Sequence, residues 1–335
     1  MLRYTLRRLS WLPIILFGVS LIAFVVLRTL PGQDPATAIA GQGATPEQIQ
    51  QLRDQLGLER PIFPISVTRT AVVVPAFHVH AHSQYSEWIG NLVRGDFSRE
   101  FYSKKPIRDE FKRRFFPSFE LVAMSLSISA VIGIAFGILS AVYRNSWLDY
   151  VVRLTAVIGA SVPEFFLLTL LIVIPSRVWN YSMPVGGYVA PWEDLGRNLR
   201  LFVPAALVLG FAGSAGLMRL VRTTMLEVLR ADYVRTARAK GLSGRVVVLE
   251  HALRNSATPI LTALGTSFVA IFGGSVIAEV ILSIQGLGLW FFTAAQQRDL
   301  TVIQFLVVYT AFVVVIVNLI VDLSYAWLDP RVRYN

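Results

Sequence analysis

Residues 121–142 read LVAMSLSISAVIGIAFGILSAV, a run of 22 residues without a charged side chain. A helix needs about 20 consecutive apolar residues to cross the hydrocarbon core of a bilayer, so this run is long enough to span it. The rest of the chain has a similar character, because 54% of its 335 residues are hydrophobic and only 16% are charged. Soluble domains carry about 25% charged residues. The composition therefore predicts an all-α protein that crosses the membrane several times.

Hydropathy along the chain predicts six transmembrane helices. They cover approximately residues 9–30, 119–142, 152–174, 199–220, 260–282 and 302–321. With the N-terminus placed in the cytoplasm, the inside segments carry fourteen Lys and Arg residues, whereas the two short outside loops carry four. This bias follows the positive-inside rule and places both termini in the cytoplasm. It also accounts for the net charge of +10 without a nucleic-acid partner.

A long segment separates the first two predicted helices, and we expect it to form an external cap. It contains Thr45-Pro-Glu-Gln, a capping sequence ahead of an amphipathic helix that should end at Gly57. A second short helix is predicted at 85–93. The chain then divides into an N-terminal tail with the first helix (1–30), the cap (31–118), a membrane core of five helices (119–328) and a cytoplasmic tail (329–335).

Residues 219–254, between the fourth and fifth predicted helices, are strongly basic. They contain eight Lys and Arg residues against three acidic residues. The residue types favour a helix over 223–240, Gly241 suits the left-handed position after a helix, and Ser243 can cap the next helix. Pro259 is expected to end that second segment before the chain re-enters the membrane. Two short helices joined by a tight corner are therefore predicted on the cytoplasmic side.

The sequence of this basic segment resembles a known family. Residues 232–243, DYVRTARAKGLS, followed closely by HALRN, are similar to the cytoplasmic loop of ABC importer permeases of the dipeptide, oligopeptide and nickel group. The wider superfamily has Glu-Ala-Ala where this chain has Arg235, Thr236 and Ala237, and it often has a proline at the position of Arg254. The missing glutamate is usual for the peptide branch, so these departures favour that branch.

Further motifs extend the resemblance over nearly the whole chain. The first predicted helix is followed by LPGQDP, and the external loop contains QLGL and LVRGDF. The fifth helix is followed by QGLG, the sixth contains NLIVD, and the C-terminal tail contains DPRVRY. Residues 61–83 depart from the usual pattern and look inserted.

The resemblance implies the six-helix fold of a type I ABC importer permease in a bacterial or archaeal inner membrane. The chain would be a transport subunit and not an enzyme. It would bind no cofactor itself, and ATP and Mg²⁺ would bind two separate ATPase subunits. A second homologous permease and an extracytoplasmic substrate-binding protein would complete the assembly. In agreement, the sequence has no GxxxxGK phosphate-binding loop. The substrate stays open among dipeptides, oligopeptides, nickel chelates, glutathione and oligosaccharides.

The resemblance also implies that residues 222–258 form the coupling loop that contacts the ATPases. Within this loop the coupling residues would be Arg235, Thr236, Ala237, Arg238, Lys240, Gly241 and Leu242. Ala237 and Gly241 would allow a close approach to a groove on the ATPase. The alternative interpretation of the loop is a solvated basic connection that only orients the helices.

Several residues inside the predicted helices are candidates for the translocation pathway. They are Ser161, Pro163, Glu164, Gly273 and Gly274. Pro163 could break the third helix, although a simple kink is more common. Acidic residues within a membrane are costly and often functional, so the alternative function is a self-sufficient ion-coupled secondary transporter that uses Glu164, Glu279 and Asp322. Glu279 and Asp322 lie near helix ends in family-like motifs, which favours structural roles for both.

His78, His80 and His82 alternate with other residues inside the inserted segment. In an extended conformation their imidazoles share one face, as nickel or zinc ligands would need. No carboxylate lies nearby in the sequence, so the favoured interpretation is a flexible insert without a metal. A membrane enzyme is also disfavoured, because no nucleophile and base are paired at one membrane face.

Overall fold

The computed structural model describes residues 2–29, 35–40, 43–55, 58–62, 65–69, 75–79 and 83–328. Within them the chain forms α-helices, one β-hairpin and one π-helical segment. The N-terminal third contains α1 (Leu2–Thr29), α2 (Pro35–Ala40), α3 (Pro46–Gln55), β1 (Ile65–Arg69), β2 (Pro75–Val79) and α4 (Gln84–Val93). The remaining helices are α5 (Ile107–Val142), α6 (Trp147–Ser161), α7 (Glu164–Val178), α8 (Leu195–Leu229), α9 (Asp232–Ala239), α10 (Gly244–Val246), the π-helix (Val247–Leu253), α11 (Ala257–Ile281), α12 (Leu287–Gln297) and α13 (Leu300–Leu328).

Five helices of the described chain are long and apolar enough to cross a membrane, and a bent pair provides a sixth candidate. The five are Leu9–Val26, Ile107–Val142, Leu195–Leu229, Ala257–Ile281 and Leu300–Tyr325. The bent pair consists of α6 and α7. Each predicted apolar run corresponds to one of these candidates. The predicted class, a helical protein with six membrane passages, is therefore confirmed.

The third passage differs from the expected simple kink. Helices α6 and α7 meet at an angle of 96° across Val162 and Pro163. Pro163 precedes α7 with φ −61° and ψ 136°, which takes its backbone out of the helical region. Each helix has 15 residues and a length of about 22 Å, too short to cross a hydrocarbon core of about 30 Å. The passage is thus a broken helix, and the kink interpretation is wrong.

One compact unit comprises Arg114–Trp290 together with segments from both chain ends. In this unit α8 packs against α5 through glycines. A β-carbon on Gly133 would lie 2.6 Å from Leu217 Cδ2, and one on Gly210 would lie 2.8 Å from the Ser125 carbonyl oxygen. The absence of a side chain at these glycines thus allows the close helix contact that is common between membrane helices.

Two apolar clusters fill this unit. The first joins α5, α7, α8 and the end of α11, and its large buried members include Leu121, Leu168, Phe202, Leu209 and Leu282. The second lies where α8 meets the π-helix and the start of α11, and it contains Leu217, Val221, Met225, Ala252 and Ile260. The second cluster continues beyond the predicted end of the fourth membrane helix, because α8 remains helical to Leu229.

The second compact unit comprises Leu9–Arg113 and Phe291–Val313. Here α4 packs on α1 through Tyr85, whose hydroxyl lies 2.8 Å from Ser20 Oγ. The Phe24 ring contacts the rings of Tyr85 and Trp88 at centroid distances of 5.3 Å and 5.5 Å. At the start of α13, Asp299 accepts a hydrogen bond from the Phe101 amide at 2.7 Å. The loop after α4 is therefore tied to helices of the same unit.

The segment predicted as an external cap contains more structure than expected. The predicted capping sequence is present, with Thr45 N donating to Gln48 Oε1 at 3.0 Å and Gln48 N donating to Thr45 Oγ1 at 3.3 Å. Within the inserted segment, β1 and β2 pair in antiparallel register, Ile65 opposite Val79. The expectation of a flexible insert missed this hairpin, because hydropathy and helix capping carry no signal for strand pairing.

Candidate coupling segment and pathway

The basic segment after α8 folds as a corner of two helical pieces. We call residues 230–245 the corner segment. A turn at Arg230 and Ala231 separates α8 from α9, so the single helix predicted over 223–240 is in fact two. In α9, Val234 is fully buried and packs with Val247 of the π-helix. This apolar contact fixes the corner segment on the structure that follows it.

Gly241 has the left-handed conformation that the sequence predicts, with φ +82°. The Gly241 amide donates to the Arg238 carbonyl at 2.9 Å, and the Leu242 amide donates to the Ala237 carbonyl at 3.3 Å. These two bonds form a Schellman motif, which satisfies the last carbonyls of α9. Nothing lies within 4 Å of a β-carbon added at Gly241, so the position needs glycine for its backbone and not for internal space.

The other predicted coupling residues fall into exposed and buried groups. The exposed ones are Arg235, Thr236, Arg238, Lys240 and Leu242. Ala237 is only 7% exposed and belongs to the cluster of Val234 and Val247. The small side chain of Ala237 therefore packs inside the chain, and the predicted close approach of an ATPase at this position stays a prediction.

The second half of the predicted corner also differs in detail. Ser243 occupies the position before α10, but its side chain makes no capping hydrogen bond. The chain then continues as a π-helix, which was not predicted. Pro259 does not end this piece; it lies in the first turn of α11, where a proline loses no helical hydrogen bond.

A buried ion pair holds the base of the corner segment. Arg222, in the last turns of α8, donates from Nε and Nη2 to the two oxygens of Asp149 at 2.8 Å and 2.9 Å. The Asp149 side chain is fully buried. It also accepts from Ser140 Oγ at 2.5 Å and from the Asn145 amide at 3.0 Å. The end of α8 is thereby fixed to the turn between α5 and α6.

Sequence reasoning missed this pair, because it counted Arg222 only as one of the inside positive charges. An acid and a base 73 residues apart give no local signal. The only sign in the sequence is the single acidic residue Asp149 beside an apolar run, which indicates a buried carboxylate that needs a basic partner.

The structure brings two of the predicted pathway residues together. Glu164 is the first residue of α7, at the break, and a β-carbon on Gly274 of α11 would overlap its Oε2 atom. Gly273, the adjacent residue, is exposed and has nothing within 4 Å of an added β-carbon. Ser161 bonds within its own helix, donating to the Val157 carbonyl at 2.8 Å. Ser161 therefore precedes the break and Pro163 lies in it, while Glu164 and Gly274 meet beside it.

Glu279 is a fully buried carboxylate with a structural environment. It accepts hydrogen bonds from Ser118 Oγ at 2.6 Å and from the amides of Gly288 and Leu289 at 2.7 Å and 3.0 Å. Those amides belong to the first turn of α12, so Glu279 caps that helix. A β-carbon on Gly288 would lie 2.6 Å from Val276 Cα, which explains a glycine in the QGLG motif.

The structure gives little information on Asp322 and on the three predicted histidine ligands. Asp322 is half-buried on α13. Of the predicted metal ligands, His80 and His82 lie outside the described residues, and only the backbone of His78, in β2, is described. The described part of the chain contains no group of three or more His, Cys, Asp or Glu residues that could hold a metal ion.

A helical membrane protein with a broken third passage and a basic helical corner after the fourth has the organisation of a transport permease. Residues 133–334 match the family "Binding-protein-dependent transport system inner membrane component", and residues 1–74 match the N-terminal region of such components. The chain belongs to this family. It is a multi-pass inner-membrane protein and a permease subunit of an ABC importer.

Similar proteins agree with this assignment. The chain is 36% identical over 335 residues to the glutathione transport system permease protein GsiC of Escherichia coli K12, covering 100% of both. The corresponding protein of Shigella flexneri serotype 5b is 35% identical, again over 100% of both. An inward-facing structure of the MetNI methionine ABC transporter has a TM-score of 0.52 at 19% identity, covering 63% of this chain and 94% of that chain. The last comparison shows the type I importer fold. The family does not support the alternative of an ion-coupled secondary transporter.

Proposed function

We propose that this chain forms one half of the translocation pathway of an importer for short peptides. A second, homologous permease forms the other half. The permease relatives named as glutathione transporters support a peptide-like substrate, since glutathione is a modified tripeptide. An extracytoplasmic binding protein delivers the substrate to the face of the membrane opposite the corner segment.

The corner segment contacts a groove on an ATPase subunit. The importer contains two such subunits, and they, not this chain, bind ATP and Mg²⁺. The observation that carries this proposal is an exposed corner that is held by internal contacts. Its α9 helix ends in a complete Schellman motif, and the inner side of α9 packs through Val234 against Val247 of the π-helix. A rigid element can transmit a displacement of the ATPases to the helices, whereas a flexible loop would absorb it.

The ion pair between Arg222 and Asp149 connects the corner segment to the broken third passage. Arg222 and Asp149 join the end of α8 to α6, and α6 leads directly to the break at Pro163. The exposed coupling residues Arg235, Thr236, Arg238, Lys240 and Leu242 would contact the ATPase, and Gly241 would hold their geometry. The carboxylate of Glu164, held against Gly274, and the open backbone at Gly273 would face the pathway.

Reconstitution tests the proposal. The chain, its partner permease, the ATPases and the binding protein are placed in proteoliposomes with radiolabelled glutathione or a tripeptide. We expect uptake that requires ATP hydrolysis and every subunit. This chain alone, given a proton gradient and no ATPase, should transport neither probe. Uptake by the chain alone would contradict the proposal.

A further inference from the structure

The carboxylate of Glu164 has no partner within the described part of the chain. It makes no hydrogen bond and no ion pair there. It lies at the break between α6 and α7, inside an apolar passage, where an ionised group is costly unless something compensates it. A fold that keeps such a group at the break leaves a negative charge for an incoming ligand.

Stabilisation of α7 does not explain this residue. An acid in the first turn of a helix is favoured by the helix dipole, and it usually accepts hydrogen bonds from free amides there. Here the amides of Phe166 and Leu167 donate to the Pro163 carbonyl at 3.1 Å and 3.3 Å. The Glu164 side chain instead turns towards α11 and occupies the space above Gly274.

Within this chain the carboxylate is not enclosed. Glu164 is half-buried. The neighbouring Gly273 is exposed, and an added β-carbon there would meet nothing within 4 Å. Gly274 is covered by the Glu164 carboxylate itself. One side of the carboxylate is therefore held against α11, and the described residues of this chain do not cover the adjoining position at Gly273.

A lone carboxylate suits some cations better than others, and here a metal ion and a protonated amine can be compared. A divalent metal ion needs several protein ligands, and the described residues offer no group of three or more His, Cys, Asp or Glu. A single carboxylate can accept a charge-assisted hydrogen bond from a protonated primary amine, and the remaining donors of the amine can stay bound to water. The free amino group of a peptide is such an amine.

We propose that Glu164 binds the protonated amino group of the transported solute at the break in the third passage. This inference rests on the proposed function, and it narrows the substrates to solutes that carry a free amine. The pathway would then contain a site that binds the amino terminus of a peptide and does not restrict the side chains of that peptide.

The test compares one tripeptide with a free amino group and its N-acetylated form in proteoliposomes that contain the complete importer. Each probe is used at a concentration shown by titration to saturate the binding protein. Wild type should transport the free form about tenfold faster, the effect of one charge-assisted hydrogen bond. Glu164→Gln should reduce this ratio to near one, and Glu164→Asp should keep most of it.

Three further variants separate recognition of the amine from general damage to the protein. Gly274→Ala should also lower the ratio, because its β-carbon displaces the carboxylate, whereas Gly216→Ala, with nothing within 4 Å, should not. Glu47→Gln removes an exposed first-turn acid of α3 and controls for the loss of a negative charge. An unchanged ratio in Glu164→Gln would overturn this inference, and the proposed function would still stand because wild-type uptake depends on ATP. Absence of ATP-driven uptake in wild type would overturn the proposed function and the inference with it.

Discussion

Gly241 has a left-handed backbone, and nothing lies within 4 Å of a β-carbon added to it. A glycine there could be required by this backbone conformation or by an ATPase that needs the space above it, and substitution can separate these two explanations. Its φ of +82° is costly for most residues, by about 1–2 kcal/mol, whereas asparagine adopts this region readily. Gly241→Val should therefore reduce ATP-driven uptake at least about tenfold, while Gly241→Asn should retain most of it. Uptake in proteoliposomes, normalised to the amount of inserted protein, measures both.

Equal loss of uptake in the two variants would contradict this explanation. It would show that the ATPase needs the space above Gly241 and not the left-handed turn. The contrast works because the chain itself leaves that space open.

Asp299 gives the second compact unit a pH-dependent contact. Burial raises the pKa of Asp299 above its ordinary value of 3.8, while its hydrogen bonds from Phe101 and Val302 oppose the shift. A raised folded-state pKa means that protonation favours the folded form. The stabilisation is complete below pH 3.8 and is lost as the pH rises through the raised pKa.

The melting temperature of wild type should therefore fall, relative to that of Asp299→Asn, as the pH rises through that value, because the variant has no titrating group at this position. Thermal unfolding of both purified proteins over the same pH range measures the difference. A difference between the two melting temperatures that does not change with pH would contradict the assignment.

At the level of elements, α8 is joined to the α5–α6 turn by a buried ion pair and not only by apolar packing. Removing one partner of such a pair leaves an uncompensated charge and costs about 3–5 kcal/mol. Asp149→Asn should therefore lower the thermal stability of the purified protein strongly. Replacing both residues, Asp149→Leu with Arg222→Met, should recover much of the loss.

The pair between Asp232 and Arg235 provides a matched control. It has a similar distance, 2.7 Å, but its side chains are 91% and 74% exposed. Asp232→Asn should leave the melting temperature unchanged within error, because exposed pairs contribute little. A loss of the same size in both single variants would refute the special role of the buried pair.

The elements also show which parts of the fold the sequence predicts. Long apolar runs identify every membrane passage, because lipid demands that backbone groups be satisfied within a helix. The left-handed turn at Gly241 and the cap at Thr45 are equally visible, since both depend on the local conformation of a few residues. Prediction fails where the outcome depends on distant contacts.

Three features illustrate that failure. Hydropathy treats α6 and α7 as one helix, because composition does not record the 96° bend. The sequence places Ala237 in the coupling segment, but only the fold shows that packing with Val247 buries it. The pairing of Asp149 with Arg222 joins residues 73 positions apart. The sequence identifies Glu164 as a pathway candidate, but only the structure shows that its carboxylate lies against Gly274.

For the whole molecule, the distribution of charge predicts an orientation that the cysteine-free sequence makes easy to test. Single cysteines at Arg144 and Lys240, both exposed, should be cytoplasmic, whereas cysteines at Val93 (81% exposed) and Trp192 (73% exposed) should be external. In intact spheroplasts a membrane-impermeant maleimide should label only the external pair. Permeabilisation should then allow labelling of Arg144→Cys and Lys240→Cys. Labelling of Lys240→Cys in intact spheroplasts would place the corner segment outside, where no ATPase could reach it, and would refute its proposed contact.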